Sequence, residues 1–413
     1  MSKSLKVGII GGSIAGCSAA ILMSRAGHDV TVFERSRGAL QGRGGGIATP
    51  TATFRSLIEE DIIDQDFPHT MATEMPFIGR TSPNDRLGHV AWSLPIDLAC
   101  FHWGTLWDNL RKRVADQKYL GGQNVTQVLM QDSETVVLLL DDGSQYIFDL
   151  VLSADGYRSL GRSLQFPNVE LSYRGYALWR GLLPEARMDD SRPLGTTLPR
   201  LSYPDLSGHM VIYFVPGFDG SIREGERIYN WAAYIPLAEE EVPEFMIDRQ
   251  GVRRTGSLPP DTIRPEEEKR LKQLMRDNLP GYYADIVSNT EHTYAQLIYT
   301  VDLPAYALDR LCLIGDAGIV VQPFTGSGIF KGINNARDLV SALQEHDSVD
   351  DSLAQWSRSQ TEGSKRILAL GQQMEQAFIW NPLDFATVDA ETTAAWWKSS
   401  VTFPENFTYE DSD

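Results

Sequence analysis

Leu5-Lys-Val-Gly-Ile-Ile10 is a short, mostly apolar run, with the continuity expected of a strand buried on both faces. Gly11-Gly-Ser-Ile-Ala-Gly16 follows at once, and Ala15, Ala19, Leu22, Met23 and Ala26 then recur at helical spacing. Gly27 closes that helix, and Asp29-Val-Thr-Val-Phe-Glu34 predicts a second strand ending in a carboxylate. Two later apolar runs also end in turns. Asp149–Ala154 leads into Asp155-Gly156; Arg310–Ile314 leads into Gly315-Asp316, then Pro323-Phe-Thr-Gly326-Ser-Gly328 and a helical pattern from Ile329 through Leu339. Between Tyr173 and Arg254 strands alternate with turns, as in an antiparallel sheet. In the run His209–Val215, period two puts His209, Val211 and Tyr213 on one face and Met210, Ile212 and Phe214 on the other. Pro265 before three glutamates opens a helix to about Asn278, and Leu353, Trp356, Ile367, Leu370 and Met374 predict an amphipathic helix near the end.

These elements predict an α/β protein: a Rossmann-like domain with an inserted antiparallel-sheet domain. The first is expected at 1–75, 100–165 and 290–345, the sheet at 166–290 with 76–99, and C-terminal helices and tail at 346–413. At 413 residues and 42% hydrophobic, the chain is long enough for such a core. Its 37 basic against 55 acidic residues give a formal charge of −18, which argues against general nucleic-acid binding or adsorption to anionic membrane. No apolar run approaches a bilayer span, and no signal peptide is expected. Three scattered cysteines and seven histidines without HxH or HExxH spacing suggest a cytoplasmic, reduced protein with no metal site.

The opening unit is strand, turn, helix, strand, with an acid 34 − 11 = 23 positions after the first glycine. A dinucleotide's adenosine half needs that layout: helix N–H groups aimed at a pyrophosphate, and a carboxylate for the ribose hydroxyls. Ser13 stands where the second glycine of GxGxxG would be. Glu34 would repel a 2′-phosphate that Arg35 would otherwise favour, so FAD or NAD suits the site better than NADP.

The glycine turn, Asp155-Gly156 and Gly315-Asp316, in that order, resemble the single-component FAD-dependent aromatic hydroxylases of the para-hydroxybenzoate hydroxylase fold. Gly-Gly-Ser at 11–13, Tyr173-Arg-Gly-Tyr176 with Trp179-Arg-Gly181, and Gly208-His209 followed by Tyr213 and Pro216-Gly217 point toward hydroxypyridine-hydroxylating members. The resemblance implies a monooxygenase that consumes NADH or NADPH and O2. Its substrate would be a small hydroxylated aromatic or N-heteroaromatic ring, hydroxypyridine-like, oxidised through a flavin hydroperoxide. It places Glu34 on the adenosine ribose of FAD, with Gly11, Ser13, Ile14 and Ala15 beside the pyrophosphate and Val125 near the adenine. Asp316 falls on the ribityl chain, and Gly326, Ser327 and Gly328 on the pyrimidine edge. Asp155 would serve both FAD and donor, with Arg35, Arg158 and Arg162 as phosphate contacts. Gly46, in the Gly42–Ile47 segment, would pass under the flavin ring, and Arg43 would add a phosphate contact.

His209 and Tyr213 are the catalytic candidates. Ring hydroxylation is helped by a base that forms the phenolate, and imidazole suits that task near neutral pH; a strand-end histidine with a satisfied hydrogen bond is the plainer alternative. His102 is a weaker candidate. Trp103 occupies a position that commonly holds a flavin-facing arginine. Trp231-Ala-Ala-Tyr-Ile-Pro236 approximates a signature of flavin-dependent halogenases, which leaves that activity, or a flavin-bearing redox-sensing or binding protein, as alternatives. The Trp396-Trp397 pair could pack on a second subunit, as in a homodimer, or anchor within the chain.

Overall fold

The computed structural model describes residues 4–40, 44–130, 132 and 134–402. The strands that bracket the glycine turn pair in parallel, with Ile9 opposite Val32, and the Leu150–Ser153 strand joins on the other side, with Ile9 opposite Leu152. Leu311–Leu313 extends the sheet in parallel, Ala307–Leu308 turns back on it, and Tyr119–Gly121 closes the far edge, giving six strands. Alternation along each strand feeds two layers. Val7, Ile9, Val32 and Leu152 pack with the helices Ile14–Arg25, Phe330–Glu345 and Val349–Glu375, while Ile10, Phe33 and Val151 face a three-stranded antiparallel sheet running Val125–Met130, Val136–Leu140 and Gln145–Phe148. Among the described residues, no helix is long and apolar enough to cross a membrane.

A second sheet has nine strands. Its order is Ser257–Leu258, Thr293–Thr300, Ser172–Pro184, Ile228–Pro236, His209–Val215, Arg200–Ser202, Thr70–Gly79, His89–His102 and Gly46–Pro50. Gly46–Pro50 and Thr293–Thr300 come from stretches that the sequence pattern assigned to the dinucleotide-binding unit, so the chain passes between the sheets more often than the pattern reveals.

Register fixes the two faces of this sheet, because directly paired residues point the same way. Arg200 pairs with Val211, Val211 with Ala232, and Ala232 with Arg180. His209 pairs with Tyr234, Tyr213 with Asn230, and Arg180 with Tyr294. One face therefore carries Arg180, Arg200, His209, Tyr213, Asn230, Tyr234 and Tyr294. The other carries Met210, Ile212, Phe214, Tyr229 and Trp231, buried with Leu271, Met275, Ile286 and Val287 of the helices Pro265–Asn278 and Gly281–Asn289. Trp231 is on this apolar side, and its indole N–H donates to Thr290 Oγ1 at 2.9 Å. The halogenase-like tryptophan is thus a core residue facing away from the polar face.

The Val349–Glu375 helix joins the two units. Leu353 and Trp356 pack with the first core, and Leu370 and Met374 with the polar side of the second sheet. Trp396 and Trp397, on the helix Ala390–Val401, pack within the chain against Phe77 and Phe378.

Candidate active site

The glycine turn is built as a dinucleotide cradle. Gly11 has φ +98°, in the region that favours glycine, and a Cβ there would press on the Ala154 carbonyl. A Cβ on Gly16 would fall well inside 3.0 Å of the Gly11 carbonyl, so the turn and helix touch only because both residues lack one. Glu34 ends its strand under the turn, where its carboxylate accepts from the N–H groups of Gly12 and Ser36, each at 2.8 Å. Ser13 caps the Ile14–Arg25 helix with its hydroxyl uncommitted to a capping bond, and no acid sits in the first helical turn. An anion meets free N–H groups and the positive helix end there. Val125 begins its strand beside this corner, since Gln123 N–H donates to Glu34 O at 3.0 Å. Arg35 is exposed at the strand end.

Three donors that local patterning could not reveal converge on the Gly12 carbonyl: Trp107 Nε1 at 2.8 Å, Tyr119 Oη at 3.0 Å and Cys17 Sγ at 3.3 Å. Burial pushes the Cys17 thiol up to about 12, against the pull of Arg111, which keeps it a donor. Trp107 and Tyr119 lie 95 and 107 residues from Gly12, so only folding brings them there.

The two aspartate turns meet through Arg162. This arginine is buried and donates to the carbonyls of Asp316, Ala317 and Tyr157. Its hydrogen bonds are spent on joining the turns, which corrects the expectation that it offers itself to a donor's phosphate. Arg158 remains exposed, with one bond to Thr255. Asp155 accepts from Leu160 N–H at 2.7 Å, and its other oxygen is buried without a partner among the described residues; burial raises its pKa. Asp316 is half exposed and held by Lys331 Nζ at 2.7 Å, a buried lysine that also donates to Ile319 O. Gly326, in the left-handed region at φ +71°, and Ser327 and Gly328 precede the Phe330–Glu345 helix, and a Cβ on Gly328 would meet nothing within 4 Å. Gln322, just before this loop, is tied to buried Glu375, which also takes Arg174.

The polar face of the large sheet closes the far side. Gly46 N–H donates to Asn230 Oδ1 at 2.7 Å, and a Cβ on Gly45 would crowd Tyr294 and Arg180. Arg43 and Gly42 lie outside the described residues. A cleft of about 860 Å³, lined in part by Gly44, His102, Thr105, Phe218 and Tyr294, opens beside this segment. Arg180 pairs with no carboxylate among the described residues. It donates to Tyr294 Oη at 3.5 Å, and its Nε is buried without a partner among the described residues. His209 is buried against Tyr234, Phe324 and Phe378. Its Nδ1 lies 3.3 Å from the Phe378 carbonyl, which can only accept, so Nδ1 carries the proton and Nε2 is the acceptor. Nε2 is buried with no partner among the described residues. His102 caps the Trp103–Arg111 helix, with Nδ1 accepting from Gly104 N–H at 3.0 Å, which is a structural role.

Burial lowers the pKa of both histidines, that of His209 strongly, and the Arg200 charge adds to the effect there. Below about pH 6.5 the unfolded chain takes up protons at these positions and the native state does not. Stability should therefore fall with falling pH by up to about 1.4 kcal/mol per pH unit for each histidine. Urea midpoints at pH 7.5 and 5.5 test this: the lower-pH midpoint should be smaller and the gap narrower in His209→Asn. Equal midpoints would refute it.

Comparison with known proteins agrees with this architecture. Residues 9–52 match the family model of an NAD(P)-binding Rossmann-like domain, and residues 173–300 match an FAD binding domain-like model. The chain is 27% identical to a 2,6-dihydroxypyridine 3-monooxygenase of Paenarthrobacter nicotinovorans, over 86% of this chain and 87% of that one. It is 24% identical to a salicylate hydroxylase of Pseudomonas putida, over 85% and 80%. The structure of 2,6-dihydroxypyridine-3-hydroxylase from Arthrobacter nicotinovorans superposes with a TM-score of 0.83 at 24% identity, covering 93% of this chain and 95% of that one. The chain is an FAD-binding protein with the fold of the single-component FAD-dependent aromatic hydroxylases.

Proposed function

We propose that the protein hydroxylates a hydroxylated aromatic or N-heteroaromatic ring, using O2 and NADH or NADPH. The observation that carries this reading is the polar face of the nine-stranded sheet, where Arg180 has no counter-charge among the described residues and His209 Nε2 has no partner. Their Cα atoms stand on a diagonal of roughly 12 Å, two strand spacings by two residues, which a six-membered ring and its hydrogen bonds fill. A part-buried cation without a counter-charge and a buried lone pair are both costly unless a ligand satisfies them.

FAD, when bound, would supply the redox chemistry between the donor and O2. The turn at Gly11–Ala15, Glu34, Asp316 and the Gly326–Gly328 segment would hold it. Arg180 receives the negative oxygen of the ring, and this charge makes ring carbon electron-rich. His209 Nε2 accepts a ring hydroxyl proton in a hydrogen bond, and Tyr213, on the same face, borders the chamber. Tyr234, Phe324 and Phe378 exclude water, which strengthens every charge interaction inside.

The test is donor oxidation by the FAD-loaded protein with a panel of hydroxypyridines and phenols. At least one ring should raise the NADH or NADPH oxidation rate about tenfold or more and appear as product with one added oxygen. Stimulation by none of them would sink the hydroxylase reading and favour a redox-sensing role.

A further inference from the structure

Lys331 is a cation in a costly place. It stands in the first turn of the Phe330–Glu345 helix, where its backbone N–H donates to Ser327 O at 3.0 Å and no acidic residue shares the turn. A positive charge is disfavoured at the positive end of a helix. The side chain is also buried, which lysine tolerates only when its ammonium is paired. That ammonium donates to Ile319 O at 2.6 Å and to Asp316 Oδ1 at 2.7 Å. One residue thus ties the Gly315-Asp316 turn to the Gly326–Gly328 segment.

The pair is lopsided. The Lys331 side chain is 5% exposed and that of Asp316 47%. An ion pair with a half-exposed partner stabilises a fold little, so stability does not account for the buried lysine. Arg162 is the other cation at this turn, and its hydrogen bonds go to the backbone carbonyls of Asp316, Ala317 and Tyr157. Among the described residues, Lys331 is therefore the side chain that answers the Asp316 carboxylate. Three residues before Lys331, a Cβ on Gly328 would meet nothing within 4 Å, which leaves room for a ligand.

We propose that Lys331 is a positioning residue for FAD reduction. It holds one Asp316 oxygen inward, so that the other meets a ribityl hydroxyl, and it cancels the charge of the carboxylate. This role deepens the hydroxylase reading and rests on it for the place of Asp316 beside the ribityl chain. Hydride transfer from NADH or NADPH adds two electrons and one proton to the flavin, leaving the oxidised donor and one negative charge on the reduced ring. An unanswered aspartate nearby would oppose that charge. With Lys331 in place, the carboxylate binds the ribityl chain without that penalty.

The experiment reads the flavin midpoint potential of the FAD-loaded protein, titrated anaerobically against a reference dye without substrate. In Lys331→Met the reduced flavin should be bound at least about tenfold more weakly relative to the oxidised form, a fall of about 30 mV for a two-electron couple. Adding Asp316→Asn to that variant should return the potential to the wild-type value, because both charges are then gone. Asp316→Asn alone should raise it, since the Lys331 charge then faces the reduced ring unanswered. A merely structural lysine predicts no such reversal. An unmoved potential in Lys331→Met overturns the proposal, and so does a fall that Asp316→Asn leaves in place. If Lys331→Met does not fold, Asp316→Asn decides: a potential at or below that of wild type overturns the role. Loss of FAD from every variant would make the pair a structural tie and overturn it too. Failure of every ring to stimulate donor oxidation would instead remove the hydroxylase reading and leave the potentials standing.

Discussion

Gly16→Ala is expected to give a protein that purifies colourless. The alanine Cβ would be driven against the Gly11 carbonyl, which belongs to backbone and cannot rotate away. Relief requires the Ile14–Arg25 helix to back off from the turn, or the turn to tilt. Either motion displaces the N–H groups that would face the pyrophosphate. The turn is also fixed from behind by Trp107, Tyr119 and Cys17 on the Gly12 carbonyl, so the strain has few soft outlets. Overpacking a close contact costs about 1–3 kcal/mol and sometimes more. If most of that falls on the cofactor-bound state, FAD affinity drops by about 100-fold, since each 1.4 kcal/mol is a factor of ten. Flavin absorbance after desalting and a fluorescence titration with FAD check the prediction. A yellow variant with full flavin content would show that the turn accommodates the methyl group.

Arg180→Met should have the second large effect, and a different signature. The substitution removes a charge on the sheet face that has no counter-ion among the described residues. A hydrogen bond to a charged group contributes about 1.5–3 kcal/mol, so kcat/KM for the stimulating ring should fall roughly 10- to 150-fold. Flavin content should not change, because no FAD-holding residue is altered. Thermal stability should hold or rise, since an apolar side chain of similar length relieves a part-buried cation with no counter-charge among the described residues. Arg180→Lys should recover only part of the activity, because a point charge replaces a planar fork. Unchanged kcat/KM in Arg180→Met would remove Arg180 from the substrate site, and a fall in Tm would recast it as a structural residue.

His209 shows how far a local pattern can be read. Period-two alternation in His209–Val215 is enough to put the imidazole on a face with Tyr213, and the paired register bears out that shared face. The same pattern does not show what the ring can do. Its tautomer depends on a carbonyl 169 residues away, and its lowered pKa on burial by elements from three other parts of the chain, with the Arg200 charge adding to it. Arg180 stands in the Trp179-Arg-Gly181 motif, yet nothing in that motif distinguishes a substrate-facing arginine from a salt-bridged one. Arg174, six residues earlier on the same strand, is indeed paired with Glu375. Arg162 illustrates the reverse case: a positive charge near the right motif reads as a phosphate contact until its hydrogen bonds to three carbonyls are seen. Trp231 likewise fits a functional signature by spacing and proves to be core by the side of the sheet it occupies.

By itself, then, the sequence determined what short-range chemistry dictates. It set the strand, glycine turn, helix and acid-tipped strand of the dinucleotide unit, the two aspartate turns, and the change of period that marks the antiparallel sheet. Each depends on residues close together along the chain, through backbone freedom, alternation and helix ends. The tertiary structure alone decided which charges are answered and which are left for a ligand. Glu375 neutralises Arg174, three carbonyls occupy Arg162, and Phe378 and Trp397 pack on Arg200, whereas Arg180 has no carboxylate and His209 Nε2 no partner among the described residues. The physical reason is that a buried polar group takes its character from neighbours within a few ångströms. Those neighbours arrive from segments up to about 200 residues apart, as Arg174 and Glu375 do.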